Sequence, residues 1–136
     1  MEIITNAHII MPVKDSIDTA EQAIRSIVNS GHTLTVYDDY STNETAERLD
    51  TLQRELGIRV IHLSEHIHNP SPNYRWVLIN AQKECIAEGK HLIIIESDVI
   101  ISKQTIDKLS NVVSEQVGMV AAVTTDNKGN INFPYE

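Results

Sequence analysis

The stretch Thr33–Leu49, TLTVYDDYSTNETAERL, changes character at a single point. Its first five residues, Thr33 to Tyr37, are β-branched or aromatic at four positions and read as a strand. After Asp38-Asp39, Ser41 with Glu44 three residues later has the form of a capping box. Ala46, Leu49, Leu52 and Leu56 then form one helical stripe, closed by Gly57. A strand that passes directly into a helix is half of a βαβ unit, so the fold turns on whether the same change recurs.

It recurs on both sides. Upstream, Ala7–Val13 (AHIIMPV) reads as a buried strand stopped by Pro12. Asp18 with Glu21 suggests a second capping box, followed by the stripe Ala20, Ala23, Ile24, Ile27 and Val28, with Gly31 at the C′ position. Downstream, Ile58–Leu63 is a third strand, and the segment SEHIHNPSPN is kept irregular by Pro70 and Pro72. A helix over Tyr74–Glu88 turns Val77, Leu78, Ala81 and Cys85 inward and ends at Gly89. His91–Ile95 is a fourth strand. Ser102 caps a helix carrying Ile106, Leu109 and Val113, Gly118–Thr124 is a fifth strand, and Asp126–Asn130 is a turn. Strand–helix alternation with short connections predicts right-handed crossovers and an α/β fold: a mainly parallel, twisted sheet of about five strands with helices on both faces, in one domain spanning 1–136.

Bulk properties exclude several classes. The 136 residues suffice for one core, and 41% hydrophobic with 22% charged residues is an ordinary globular composition. A net charge of −8 argues against broad nucleic-acid binding, and 4% aromatic residues against single-strand stacking platforms. No apolar run approaches a membrane span, and the N-terminus lacks a basic region followed by an apolar stretch, so neither an integral segment nor a signal peptide is expected. One cysteine, Cys85, rules out an intrachain disulfide framework and fits a reducing compartment, the cytoplasm.

In parallel sheets, ligands sit beyond the carboxyl ends of the strands. Three strands end there in polar chemistry: Pro12-Val13-Lys14-Asp15, Asp38-Asp39 and Glu96-Ser97-Asp98. Glu96 and Asp98 follow the run Leu92–Ile95, where charge needs water, a donor or a cation. As hard oxygen ligands they suit Mg²⁺ or Mn²⁺; alternatively one caps a turn and the other is solvated. Asp39 has two readings as well, a helix cap or, with Asp38, an acceptor for a nucleobase imide or ribose hydroxyls. His62, His66 and His68 match no zinc spacing and read as a solvated loop, and Cys85 reads as a small core residue. Arg75 and Lys14 either reach the site as cationic partners of a base or phosphate or lie on the surface.

The series IIMPVKD, AIRSIVNS, LTVYDDYSTNETAERL, NAQKECIAEG and HLIIIESDVIIS resembles the nucleotide-binding half of family-two glycosyltransferases of the GT-A fold. The resemblance runs in order through residues 7 to 124, with Asp-Asp-Tyr-Ser-Thr its most specific element. It implies transfer of a sugar from a nucleotide-diphosphate donor to an acceptor hydroxyl, of a saccharide or lipid-linked saccharide, with inversion and with Mg²⁺ or Mn²⁺. It implies that Asp39 contacts the nucleobase with Asp38 beside it. Main chain at Pro12 and Val13 would line the base and ribose pocket, and Arg75 would flank the base. Asp98 would ligate the metal, with Glu96 and Ser97 against the ribose and the second coordination shell.

Three departures from the pattern stand out. Glu96 replaces the usual first aspartate, and the segment Asn80–Gly89 is one residue longer than usual. The family's general base lies downstream of the acidic motif, where Asp126 and Glu136 sit in no recognisable base motif, so the catalytic base is unassigned. The expectation is a truncated form that holds a donor. Two alternatives follow: a non-catalytic nucleotide-sugar-binding module, and a receiver-like Mg²⁺-binding signalling domain. The latter requires its acid pair after the first strand, whereas this one follows the second.

Overall fold

The computed structural model describes residues 6–132. Its elements, in order, are β1 (Ala7–Val13), α1 (Ile17–Asn29), β2 (Thr35–Asp38), α2 (Asn43–Leu56), β3 (Arg59–His62), a 3₁₀ turn at Leu63–Glu65, α3 (Tyr74–Glu88), β4 (His91–Ile94) and α4 (Thr105–Val112). The described residues divide into two compact units between Lys103 and Gln104.

The first unit is a parallel sheet in the order β3-β2-β1-β4. Right-handed crossovers in that order carry α1 and α2 over one face and α3 over the other. The pleat sorts the side chains accordingly. Ile10, Tyr37 and Ile61, one from each of three neighbouring strands, cluster with Leu63 and with Val77 and Ala81 of α3. Their sequence neighbours Met11, Val36 and Asp38 face α1 and α2, whose Ala20, Ala23, Ile24, Ile27, Leu49 and Leu52 are buried. Cys85 is buried on α3 as expected.

Pro12 lies inside β1, paired in register with Tyr37, instead of stopping the strand. The hydrogen bonds explain its tolerance. Ile10 O accepts from Ile95 N on the β4 side and Val13 O from Asp39 N on the β2 side. The missing N–H of Pro12 would therefore face β4, beyond the last β4 pair at Ile10 and Ile94.

Both expected capping boxes are replaced by other contacts. Helix α1 begins at Ile17 behind Ser16, and Glu21 bonds Arg48 Nε at 2.6 Å instead of capping. Helix α2 begins behind Thr42, and Ser41 Oγ accepts from Asp15 N at 2.9 Å. The C-terminal signals hold: Gly31, Gly57 and Gly89 adopt positive φ just past α1, α2 and α3.

In the second unit, α4 starts after Gln104, not Ser102. The expected fifth strand at Gly118–Thr124 does not form, and the sheet has four strands among the described residues. A strand requires a ladder partner. The isolated bridges here join Ser114 to Val117 and Thr125 to Ile131, leaving Met119 and Val123 exposed. The expected turn at Asp126–Asn130 is present, with Asp126 Oδ1 accepting from Lys128 N at 2.8 Å and Asn130 N at 2.9 Å.

Candidate functional site

The parallel register brings the three polar strand ends to one edge. Val13 and Asp38 are paired, Asp39 N donates to Val13 O at 2.8 Å, and β4 runs alongside β1 into the Glu96-Ser97-Asp98 turn. That edge has a different construction at β2 and at β4.

At β2, the two aspartates point to opposite faces, as consecutive strand residues must. Asp38 is 4% exposed. Its Oδ1 accepts from Ser41 N at 3.1 Å, and its Oδ2 lies 2.6 Å from His62 Nδ1. The other ring nitrogen of His62, Nε2, is 2.7 Å from Asp50 Oδ1 on α2. Burial lowers the His62 pKa, but the hydrogen bonds and charges of Asp50 and Asp38 outweigh it, and the net displacement is upward. The geometry agrees: a neutral imidazole has only one N–H, whereas both nitrogens here face carboxylates.

Asp39 is also buried and turns toward the irregular segment after β3. Its Oδ2 accepts from Ser71 Oγ at 2.9 Å and Asn73 N at 2.8 Å, and its Oδ1 from Asn73 Nδ2 at 2.8 Å. Asn73 Nδ2 also donates to Asn69 O at 2.9 Å. A segment that its prolines exclude from regular structure is thus tied to the sheet by one carboxylate.

The loops of the edge are laced together. Thr42 N donates to Asp15 Oδ1 at 2.8 Å, Lys14 Nζ donates to Tyr40 O, and Tyr40 OH donates to Ile67 O. The hydrogen bond from Thr42 N, the largest influence on it, holds the Asp15 carboxyl below the usual range. Asp15, Ser16 and Tyr40 have φ of 57°, 51° and 58°. These are the non-glycine residues with positive φ among those described, and all lie in these two loops. Left-handed conformations cost non-glycine residues on the order of 1 kcal/mol each, so the lacing fixes a shape the backbone would not choose alone.

At β4, Glu96 and Asp98 are exposed and Ser97 is half-buried, in a turn where Val99 N donates to Glu96 O at 3.2 Å. Tyr74, at the start of α3, is close enough for Glu96 to raise its phenol pKa, as a second cause after burial. Arg75 is exposed beside it and, with Ile67, Asn69, Pro72, Asn73, Trp76 and Ile79, lines an open cleft of about 360 Å³. Among the described residues, no group of three or more His, Cys, Asp or Glu side chains is placed to hold a metal ion, His62, His66 and His68 included.

Comparison with known families matches residues 8–135 to glycosyl transferase family 2. The chain belongs to that family. It also resembles the crystal structure of TarS from S. aureus, with a TM-score of 0.54 and 17% sequence identity. The match covers 77% of this chain and 19% of TarS, so the chain spans under a fifth of that protein's length. At this identity the likeness concerns the fold, which is GT-A-like. No curated protein matches the sequence.

Within this family 2 glycosyltransferase domain, Pro12, Val13, Asp38, Asp39, Glu96, Ser97 and Asp98 share the carboxyl edge, with Arg75 two residues beyond Asp39's partner Asn73. Asp38 is turned away from Asp39 and engaged by His62, which separates the tasks of the two neighbours. The acids downstream of Asp98 are Asp107, Glu115, Asp126 and Glu136. Asp126 is bonded within its own turn, and Glu136 lies outside the described residues.

Sequence reasoning missed His62, Asp50 and Asn73. His62 precedes the loop histidines His66 and His68 in sequence, but it is the last residue of β3 and pairs in register with Asp38. Aligning the ends of β2 and β3 would have found it. Asn73 stands at a helix N-cap, yet makes no side-chain cap and bonds Asp39 instead. No local signal foretells that.

No helix among the described residues is long and apolar enough to cross a membrane.

Proposed function

We propose that this domain binds a nucleotide-diphosphate sugar on its carboxyl edge, with Mg²⁺ or Mn²⁺ held by Asp98. In the complete enzyme the sugar passes, with inversion, to a hydroxyl of a saccharide or lipid-linked saccharide. The observation that carries this reading is the meeting, in a family 2 domain, of Val13, Asp39 and the Glu96–Asp98 turn at one sheet edge.

Each residue has a chemically suited role. A carboxylate offers about four acceptor directions, and the three bonds to Asp39 leave one on Oδ1 for a base imide or ribose hydroxyl. The main chain of Pro12 and Val13 would line the base and ribose pocket, and exposed Arg75 would flank the base. Glu96 and Asp98 are hard oxygen donors in water, suited to a cation that completes its shell with water and phosphate oxygens. Such a cation, when bound, stabilises the charge that develops on the departing nucleoside diphosphate. Ser97 adds a hydroxyl toward the ribose. The single buried Cys85 suits a cytoplasmic setting.

Isothermal titration with UDP and GDP in Mn²⁺ tests this. The expected outcome is binding of at least one nucleotide, weakened by removing Mn²⁺ and by Asp98→Ala. Absence of heat with either nucleotide would overturn it. A second reading, donor binding without transfer, is favoured by the engagement of Asp126 in its own turn. Binding of a sugar nucleotide with neither hydrolysis nor transfer would select it.

A further inference from the structure

We propose that His62 is a positioning residue for the donor site: bonded as an imidazolium between Asp38 and Asp50, it fixes the β2 end and, through it, the loops that receive the nucleotide. The inference rests on the reading of this edge as the donor site.

The path is continuous. His62 Nδ1 holds Asp38 Oδ2 at 2.6 Å, and the other oxygen of Asp38 accepts from Ser41 N at 3.1 Å. Ser41 Oγ accepts from Asp15 N at 2.9 Å, and Thr42 N donates to Asp15 Oδ1 at 2.8 Å. Of the left-handed residues, Asp15 lies on this path, and Ser16 and Tyr40 are the chain neighbours of Asp15 and Ser41. Asp39, next to Asp38, organises Ser71 and Asn73 on the opposite face. The rotation of the β2 end that His62 restrains is therefore one that Asp39 and both loops would follow.

The clamp is charged on all sides. The charged groups acting on His62 are Asp38 from β2 and Asp50 from α2. The Asp38 side chain is 5% exposed, that of His62 15% and that of Asp50 46%. When His62 loses its proton, one ring nitrogen faces a carboxylate lone pair to lone pair. Asp38 is too buried to find water instead, so the remaining N–H stays with it while Asp50 turns to solvent, and the bond that holds Asp38 falls from a charge-assisted one to an ordinary one. Donor binding and His62 protonation are then linked, and the linkage is reciprocal.

The test follows the whole chain by NMR from about pH 6 to 9, a range that brackets a raised histidine pKa. The ligand-free amides of Asp15, Ser41 and Thr42 are expected to move with the His62 ring. Affinity for UDP or GDP in Mg²⁺, measured in parallel, is expected to fall about fivefold or more across the same midpoint. Asp50→Asn, on the exposed side of the clamp, should lower that midpoint in all three readouts, and His62→Gln should remove the pH dependence. Amides that ignore the His62 titration, or an affinity that stays flat through it, would overturn the inference while leaving the donor site standing. Absence of nucleotide binding at every pH would overturn the donor reading and this role with it, even if the amides move.

Discussion

Strands β2 and β4 leave the sheet at the same edge, each with two acids, and the two pairs live in opposite surroundings. Asp38 and Asp39 are 4% and 8% exposed and surrounded by donors from Ser41, His62, Ser71 and Asn73. Glu96 and Asp98 are exposed and accept no hydrogen bond from the described residues. Acids already supplied with donors belong to the scaffold, and they hold loops in left-handed conformations. Acids left in water keep their lone pairs open to solvent. The difference separates acids whose oxygens are mostly committed to the fold from acids whose oxygens face water, although the sequence writes both as a strand followed by two carboxylates.

The contrast breaks most readily at Asp39. Asp39→Ala removes the acceptor of Ser71 Oγ, Asn73 N and Asn73 Nδ2, groups that are buried or half-buried. Stranding donors of a buried carboxylate costs about 3 kcal/mol. The urea midpoint should fall accordingly. A loss below about 1 kcal/mol, the worth of one ordinary hydrogen bond, would place Asp39 with the open acids of β4.

The His62 clamp gives a smaller, pH-dependent effect. Its folded pKa lies above the usual 6.5, so its contribution to stability is complete below that value and is lost as pH rises through the raised one. Thermal midpoints should therefore decline on the alkaline side of pH 6.5 in the parent protein, and His62→Gln should flatten that part of the curve. An unchanged slope in His62→Gln would show that the clamp adds nothing to the β2 end.

The alternation of strands and helices was legible from period and punctuation, because α1 and α2 carry a clear apolar stripe, α1 to α3 are each followed by a glycine of positive φ, and the strands are short apolar runs between them. The shared edge followed from parallel topology alone. What was not legible depends on partners distant in sequence. Ser41 and Asp18 satisfied the local pattern of a capping box, yet the donor that reached Ser41 Oγ came from Asp15, and the chain entered α1 through a left-handed Ser16. Gly118–Thr124 has the composition of a strand, but composition supplies no ladder partner. His62 looked like one of several loop histidines until the register set it opposite Asp38.

At β4 the expected effects on stability are small and those on binding large. Asp98→Ala should change the unfolding free energy by no more than about 0.5 kcal/mol, as for an exposed residue with no special contact. It should nevertheless remove the metal-dependent part of nucleotide affinity. A stability loss approaching that of Asp39→Ala would erase the distinction between the two strand ends.

The finest probe of that distinction is Tyr74, whose phenol senses Glu96 across the gap between the start of α3 and the end of β4. Burial is the larger cause of its raised pKa and Glu96 the smaller, so Glu96→Gln should lower the Tyr74 titration only slightly, read as ultraviolet absorbance against a Tyr74→Phe control. Charge is removed while shape is kept, so no change in fold accompanies it. A cation at the Glu96–Asp98 turn should act in the same direction, because a nearby positive charge favours the phenolate. Adding Mg²⁺ to the parent protein should therefore lower the Tyr74 midpoint further than Glu96→Gln does, and Asp98→Ala should abolish the response to Mg²⁺. If Mg²⁺ leaves Tyr74 unmoved while Glu96→Gln moves it, the turn is solvated carboxylate without a bound ion, and the β4 acids differ from the β2 acids in exposure alone.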